Sequence, residues 1–389
     1  MSTPPAPTPF EDSLAIGYQP SEAAVDTGHL HQLARSLCRD ERRFLSFPDH
    51  LGLVAGELAP LLGMFVEHRR DPYSRDDFDL GVQPYEEAVL AYFAALAGAS
   101  ADDVHGYVAS CPHEALLHGL AVARRRLPAA SVYVCDQAHA RVTRACELLR
   151  MNLVTVRSLA DGTMDPEDLR LQTRVRREAG ALVVATCGTP LRGAIDNVAE
   201  LRAAAVASGR VHMHVDAAAG GLAAAHSDQV LSWSLAHGAH SISLSGDSLL
   251  GLPGQAGISL MRRVQVPAAA CGIAVPERSV ICSRGGLGAL LLWTRLRSLG
   301  RAGVAALVRR CQGVAVYAVD QFARAGARPE RFPGSLTVTF GRPPGWVVDK
   351  WHLHCVGDLA RIVTTGSLTH TAVDELAADL SAARSEAVA

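Results

Sequence analysis

Between residues 131 and 261, short apolar segments alternate with stretches of helical pattern. Apolar strands that are buried on both faces and joined by helices form a mostly parallel sheet, with helices covering both sides. This alternation predicts an α/β fold. The predicted strands are 132–136, 153–157, 181–187, 211–217, 241–245 and 257–261, and the predicted helices between them are 138–150, 166–178 and 197–208.

Polar and small residues follow three of these predicted strands. They are Cys-Gly-Thr at 187–189, Asp-Ala-Ala at 216–218 and Ser-Gly-Asp-Ser at 245–248. In open α/β sheets, ligands bind where loops leave the carboxyl ends of the strands. We therefore expect these three loops to line one crevice.

The segments that flank the predicted sheet are more helical. A long helical pattern runs over 285–325 with a break near Gly300, and a further strand is predicted at 335–340. These patterns predict a small α+β domain at the C-terminal end, and an N-terminal segment that wraps the large domain. The predicted divisions are 1–60 for the tail and wrapping segment, 61–300 for the large domain and 301–389 for the small domain.

Composition excludes several classes of protein. The chain has 389 residues, of which 49% are hydrophobic, and a formal net charge of −2. A nucleic-acid-binding protein needs a strongly basic surface, which this balance does not supply. No apolar run reaches the length of a membrane span, and the Pro-rich N-terminus does not read as a signal peptide. Nine cysteines without a CxxC pair indicate reduced thiols. We expect a cytoplasmic protein with neither a nucleic-acid nor a membrane partner.

The chain contains a single lysine, Lys350, among many arginines. Arginine can replace lysine wherever only a surface charge is needed. It cannot replace a reactive amine, because the guanidinium group stays protonated and forms no imine.

Four motifs stand in the order expected of one enzyme family: GTMD at 162–165, GTPLRGAID at 188–196, HVDAAAGG at 214–221 and CSRGGLGALLLW at 282–293. They resemble the group II pyridoxal-phosphate (PLP) decarboxylases, within them the histidine and serine decarboxylase branch. The resemblance implies the fold type I PLP-transferase architecture and a homodimer with active sites at the subunit interface.

The resemblance also implies roles for individual residues. Asp216 falls where the family's aspartate pairs with the pyridine nitrogen of the cofactor, and His139 falls where a histidine stacks on the ring. The other residues that correspond to the family's cofactor pocket are Ala218, Ser245, Ser110, Cys111 and His113.

Several positions depart from the family pattern. Ser248 occupies the slot of the lysine that carries the cofactor, and Asp247 replaces the histidine before it. The phosphate loop reads ASCPHEAL at 109–116, in which Pro112 removes one backbone donor. A carboxylate about 4 Å from a phosphate charge costs on the order of 4 kcal/mol at an effective dielectric near 20. Lys350 lies in a C-terminal KWHL stretch that the family shares, so it does not substitute for the missing amine.

These departures predict a repurposed enzyme that works without covalently bound PLP. Its former cofactor cleft would bind an amine-bearing small molecule, with Asp216 and Asp247 as anionic anchors. His139 would act as an acid, a base or a stacking surface, and Ser248 would orient a water or a substrate group. A role in specialised metabolism would suit such a protein.

Two alternatives stay open from the sequence. PLP could bind non-covalently through Asp216 and His139 and form an aldimine with the substrate's own amine, giving amino-acid decarboxylation. Alternatively, the chain could be a non-catalytic binding or partner subunit.

Three further arrangements use the same residue types. Ser248, His139 and Asp216 are the types of a hydrolytic triad, but the fold that the resemblance implies places Ser248 and His139 on opposite faces of the cofactor slot, so we expect no direct bond between them. Cys111 with His113 would suit a thiolate nucleophile. The positions of Cys111, His113, Cys135, His212 and His214 match no zinc spacing, so no metal site is predicted.

A buried Asp216 requires either a raised pKa or a cationic partner.

Overall fold

The computed structural model describes residues 23–40, 43, 45, 56–62, 64, 66–68, 71–73, 81–177, 179–266, 279–280 and 284–388. It divides into two units, Met1–Arg43 and Phe44–Ala389. The first unit contains the helix α1, Ala23–Asp40. Most of the predicted wrapping segment lies outside the described residues.

A seven-stranded sheet forms the centre of the second unit. Its order is β2-β8-β7-β6-β5-β3-β4, and all neighbours are parallel except β8, which is antiparallel to both β7 and β2. The predicted α/β class and mostly parallel sheet are therefore confirmed. The strands are β2 Val104–Ala109, β3 Ser131–Cys135, β4 Leu153–Val156, β5 Ala181–Thr186, β6 Val211–Ala217, β7 Ser241–Ser245 and β8 Gly257–Arg262. A separate two-stranded pair joins β1, Glu67–His68, to β9, Arg284–Gly285.

The edge strand β2 was not predicted. It pairs with β8 so closely that a Cβ atom on Gly106 would lie 2.2 Å from the Ser259 carbonyl oxygen. The glycine that permits this close approach also interrupts the apolar run by which a strand is recognised.

Helices connect and cover the strands, and several begin at residues with clear capping chemistry. The Asp165 side chain accepts the Glu167 and Asp168 N–H groups at the start of α6, and Asn197 accepts the Glu200 N–H at the start of α7. The helices up to β8 are α2 Ala59–Leu62, α3 Gln83–Leu96, α4 Pro112–Arg126, α5 Arg141–Leu148, α6 Pro166–Arg174, α7 Val198–Ala205 and α8 Gly221–Ala225.

The long helix α9, Leu287–Arg324, is broken at Gly300, where φ is 62° and ψ is 174°. This is the predicted break. The helix is long and apolar enough to cross a bilayer by length and composition alone. Its buried side chains pack into the two cores, however: those up to Cys311 join the core of the main sheet, and those from Val314 onward join a second core.

The second core belongs to a small α+β layer at the C-terminal end. A three-stranded antiparallel sheet, in the order β10-β12-β11, packs with two helices around Phe322, Phe340 and Trp351. The predicted small α+β unit is thereby observed. Its elements are β10 Thr337–Gly341, α10 Gly345–Trp351, β11 His354–Val356, β12 Leu359–Val363 and α11 His370–Val388.

Candidate functional site

The site is built where β5, β6 and β7 end side by side. Thr186 pairs in register with Asp216, and Asp216 pairs with Ser243. Farther across the sheet, Ser245 is in register with Gly257, and Gly257 with Ala109. The loops after these strands therefore share one edge of the sheet, as the strand assignments predicted.

Asp216 is buried and has a cationic partner from the same chain. Its side chain is 2% exposed, and Oδ2 accepts a hydrogen bond from Arg141 Nε at 3.0 Å. Oδ1 accepts longer hydrogen bonds from the Ala218 N–H at 3.4 Å and from the Ser243 hydroxyl at 3.5 Å. Of the two outcomes expected for a buried Asp216, the structure has the ion pair.

Arg141 also fixes His139. The Arg141 backbone N–H donates to His139 Nδ1 at 3.0 Å, so neutral His139 carries its proton on Nε2. Partial desolvation, followed by the Arg141 guanidinium, lowers the pKa of His139. His139 is thus a neutral imidazole. Its Nδ1 lone pair accepts the Arg141 N–H, so the group left to contact a ligand is the Nε2–H donor.

At the end of β7, three side chains form a hydrogen-bonded chain. The Ser245 hydroxyl donates to Asp247 Oδ1 at 2.7 Å, and the Ser245 and Ser248 oxygens lie 2.8 Å apart. Because the single Ser245 proton goes to Asp247, the Ser248 hydroxyl must be the donor to Ser245. The Ser248 N–H also donates to Ser245 Oγ, at 3.3 Å. The Ser248 hydroxyl is therefore linked to the Asp247 carboxylate through two consecutive hydrogen bonds.

The segment that corresponds to the family's phosphate loop begins α4. The Ser110 N–H donates to Glu114 Oε2 at 2.8 Å, and Pro112 stands at the first position of the helix without an N–H. A Cβ atom on Gly257 would lie 2.2 Å from the Cys111 carbonyl oxygen, so this helix start packs directly on β8. The Ala256 N–H, next to Gly257, donates to Asp247 Oδ1 at 3.5 Å, which brings the Asp247 carboxylate to the same corner.

Ser248, His139 and Asp216 do not form a hydrolytic triad. Asp216 is bonded to Arg141 and not to His139, and His139 Nδ1 accepts from the Arg141 backbone. Ser248 is bonded to Ser245. No pair among the three required residues is joined.

The thiolate and metal arrangements also lack their contacts. Burial, and then Arg141 and Arg144, lower the pKa of His113, which disfavours the imidazolium that would stabilise a Cys111 thiolate. His212 Nε2 and His214 Nδ1 both bond the Ser241 hydroxyl, at 3.0 and 2.8 Å. In the part of the chain that the structure describes, no three metal-ligating side chains cluster.

Arg141 is a residue of the candidate site that the sequence analysis did not single out. It is the first residue of α5 and lies two positions after His139. An arginine at a helix start normally reads as a solvated side chain. Only the turn over 136–140 directs this one towards the end of β6.

Comparison with known proteins identifies the family. Residues 118–329 match the model of the pyridoxal-dependent decarboxylase conserved domain. The chain belongs to this family. It is 27% identical over 369 residues to a histidine decarboxylase of Pseudomonas entomophila, covering 92% of each chain. It is also 27% identical over 348 residues to serine decarboxylase 1 of Oryza sativa subsp. japonica, covering 87% of this chain and 72% of that one.

A solved structure shares the fold. The internal aldimine form of L-methionine decarboxylase from Streptomyces sp. 590 superposes with a TM-score of 0.85 and 18% sequence identity, over 98% of this chain and 99% of that one. The resemblance to decarboxylases in sequence and the expected fold type are thus both confirmed.

The residues of the cleft do not suit a PLP cofactor held by an imine. Ser248 offers a hydroxyl group, which forms no imine. The only lysine, Lys350, lies on α10, where its Nζ is 2.6 Å from Asp379 Oδ2 and 5.5 Å from the centre of the Trp351 ring. That lysine belongs to the small C-terminal layer and not to the edge of the main sheet.

Proposed function

We propose that this chain is a decarboxylase-family enzyme whose former cofactor cleft works without PLP, by acid/base chemistry on an amine-bearing small molecule. The observation that carries the proposal is the hydrogen-bonded chain from Ser248 through Ser245 to Asp247, at the position that the sequence resemblance assigns to the family's lysine. It replaces a reactive amine with a hydroxyl group that is linked to a base.

Asp247 is the anchor for the amine. Its side chain is half-buried, and its Oδ2 has no hydrogen-bond partner among the described residues. Asp216 was predicted as a second anchor, but the Arg141 guanidinium already neutralises it. A ligand ammonium group therefore gains more at Asp247, where a part-desolvated carboxylate lacks a cation.

The proton path follows from the hydrogen bonds. When the Ser248 oxygen accepts a proton from a bound water or substrate group, its own proton passes to Ser245, and the Ser245 proton passes to Asp247. His139 lies in the segment that follows β3. Its Nε2–H donates to negative charge that develops on the substrate. A base and a donor are thus supplied by separate strand ends.

Spectroscopy tests whether the cofactor is needed. We expect the purified protein to be colourless and to form no imine absorption band with added PLP. We expect the same of Ser248→Lys, because Pro112 and Asp247 still oppose the phosphate after the amine is restored. A stoichiometric imine in Ser248→Lys would contradict this expectation and show that only the lysine was missing. A yellow wild-type protein would favour non-covalent PLP.

Thermal unfolding tests the amine anchor. Histamine, ethanolamine, L-histidine and L-serine serve as probes, since relatives act on histidine or serine by name. We expect at least one to raise the Tm of the wild type, and Asp247→Asn to lose that rise while the exposed Asp228→Asn keeps it. No response to any probe, together with co-purification of a lysine-bearing homologue, would instead favour a non-catalytic partner subunit.

We further propose a cytoplasmic homodimer. The support is membership of the decarboxylase family. Sedimentation at micromolar concentration should give twice the chain mass of 41.1 kDa. A monomer would contradict the proposal.

A further inference from the structure

Arg141 presents an unused edge to the cleft. Its Nε donates to Asp216, but neither of its Nη nitrogens has a hydrogen-bond partner among the described residues. The side chain is 18% exposed, so this edge is reachable, while Asp216 behind it is 2% exposed. A buried carboxylate that holds one side of a guanidinium preorganises the other side for a ligand.

The surroundings of this edge are cationic. Arg141 and Arg144 act electrostatically on His113, and Arg141 and Arg361 act on His139. Asp216 is the one carboxylate that acts on both histidines. The charge of Asp216 is already matched by Arg141.

His139, two residues before Arg141 in the chain, supplies a second donor. The Arg141 backbone N–H occupies His139 Nδ1, so the imidazole presents Nε2–H. A planar guanidinium edge with a neighbouring N–H donor matches a carboxylate group, whose two oxygens accept in one plane.

We propose that the Nη edge of Arg141, with His139 Nε2–H, is the binding site for a carboxylate group of a small molecule. This carboxylate site deepens the proposed function. It rests on that function in one respect, which is that both use the same cleft. It also gives Arg141 a second effect: the guanidinium already uses one acceptor position of Asp216 Oδ2 and matches the charge of that carboxylate, which weakens its attraction for a pyridinium nitrogen.

Calorimetry with malonate as the probe tests the site directly, since malonate carries carboxylates and no amine. We expect malonate to bind the wild type, and Arg141→Gln to weaken this binding by roughly 10- to 100-fold, the range for losing a charge-assisted hydrogen bond. The matched control is Arg174→Gln, which removes one positive charge from an exposed position on α6. The control should bind malonate with less than a roughly threefold change, as expected for an exposed, screened charge.

A second variant guards against misfolding. Arg141→Gln leaves Asp216 buried without a cation, so the double variant Arg141→Gln/Asp216→Asn removes both charges together. The double variant should fold like the wild type by circular dichroism and still bind malonate as weakly as Arg141→Gln. Equal malonate affinity in wild type and either variant overturns the proposal, as does a wild type that does not bind malonate.

Inorganic phosphate and Asp247→Asn separate the remaining outcomes. Tighter binding of phosphate than of malonate overturns the assignment to a carboxylate. Asp247→Asn should lose the response to amines but keep malonate binding. If malonate binds through Arg141 while no amine binds, the amine anchor fails and the carboxylate site stands.

Discussion

The ends of β6 and β7 are neighbours in the sheet, yet their carboxylates are held in opposite ways. Asp216 is buried and neutralised by Arg141, whereas Asp247 is half-buried and held by a hydroxyl and a distant backbone N–H. A carboxylate with an internal cation contributes to stability and loses its attraction for external cations. A carboxylate held only by neutral donors keeps that attraction. The two strand ends are therefore suited to ligand groups of opposite charge.

Removing Asp216 should have the largest effect. Asp216→Ala leaves Arg141 without its partner beside a buried strand end, and we expect the free energy of unfolding to fall by roughly 3–5 kcal/mol. Chemical denaturation measures the change. Asp216→Asn, which keeps the volume and one acceptor oxygen, should cost less. A loss below about 1 kcal/mol in Asp216→Ala, the size typical of a surface ion pair, would show that the pair is not a structural element.

Lowering the pH tests the two buried histidines of β6, His212 and His214. Burial lowers the pKa of His214 to about 4 and that of His212 well below its usual range. The unfolded chain binds protons near pH 6.5, and the folded chain does so only near pH 4 or below, so stability is complete above pH 6.5 and falls between pH 6.5 and 4.

We expect His214 to contribute a loss on the order of 2 kcal/mol between pH 7 and pH 4.5, with His212 adding to it, measured as the shift in denaturant midpoint. His214→Gln should flatten this slope, because the glutamine does not titrate. An unchanged slope in that variant would assign the acid sensitivity to other groups.

Removing Asp247 should have the smallest effect on stability and a large effect on binding. Asp247→Ala breaks one short hydrogen bond at a half-exposed position, so we expect a change of about 1 kcal/mol or less in the free energy of unfolding. The same variant should lose the Tm rise with amine probes. A large destabilisation would make Asp247 a structural residue like Asp216 and remove the contrast between the two strand ends.

The prediction from sequence succeeded where a pattern is local. Six strands of the main sheet, the first strand of the small C-terminal sheet and the break at Gly300 follow from apolar periodicity and a glycine. The approach of Asp216 and Ser245 to one sheet edge follows from the rule for parallel strands.

It failed where contacts depend on the direction of a side chain. Arg141 and Asp216 are 75 residues apart, and nothing in the sequence indicates that the first residue of α5 turns inward. The antiparallel direction of β8 likewise depends on how the chain returns after β7. The order of protons along Ser248, Ser245 and Asp247 required the positions of all three oxygens.

The solitary lysine has a practical consequence for chemical labelling. A sequence with one lysine carries a single side-chain amine, so amine-reactive probes have one ε-amino group here to modify, that of Lys350. Lys350 lies on a C-terminal helix and is exposed beside Asp379. A fluorophore or surface linker attached there would leave unoccupied the strand ends that we propose as the ligand site.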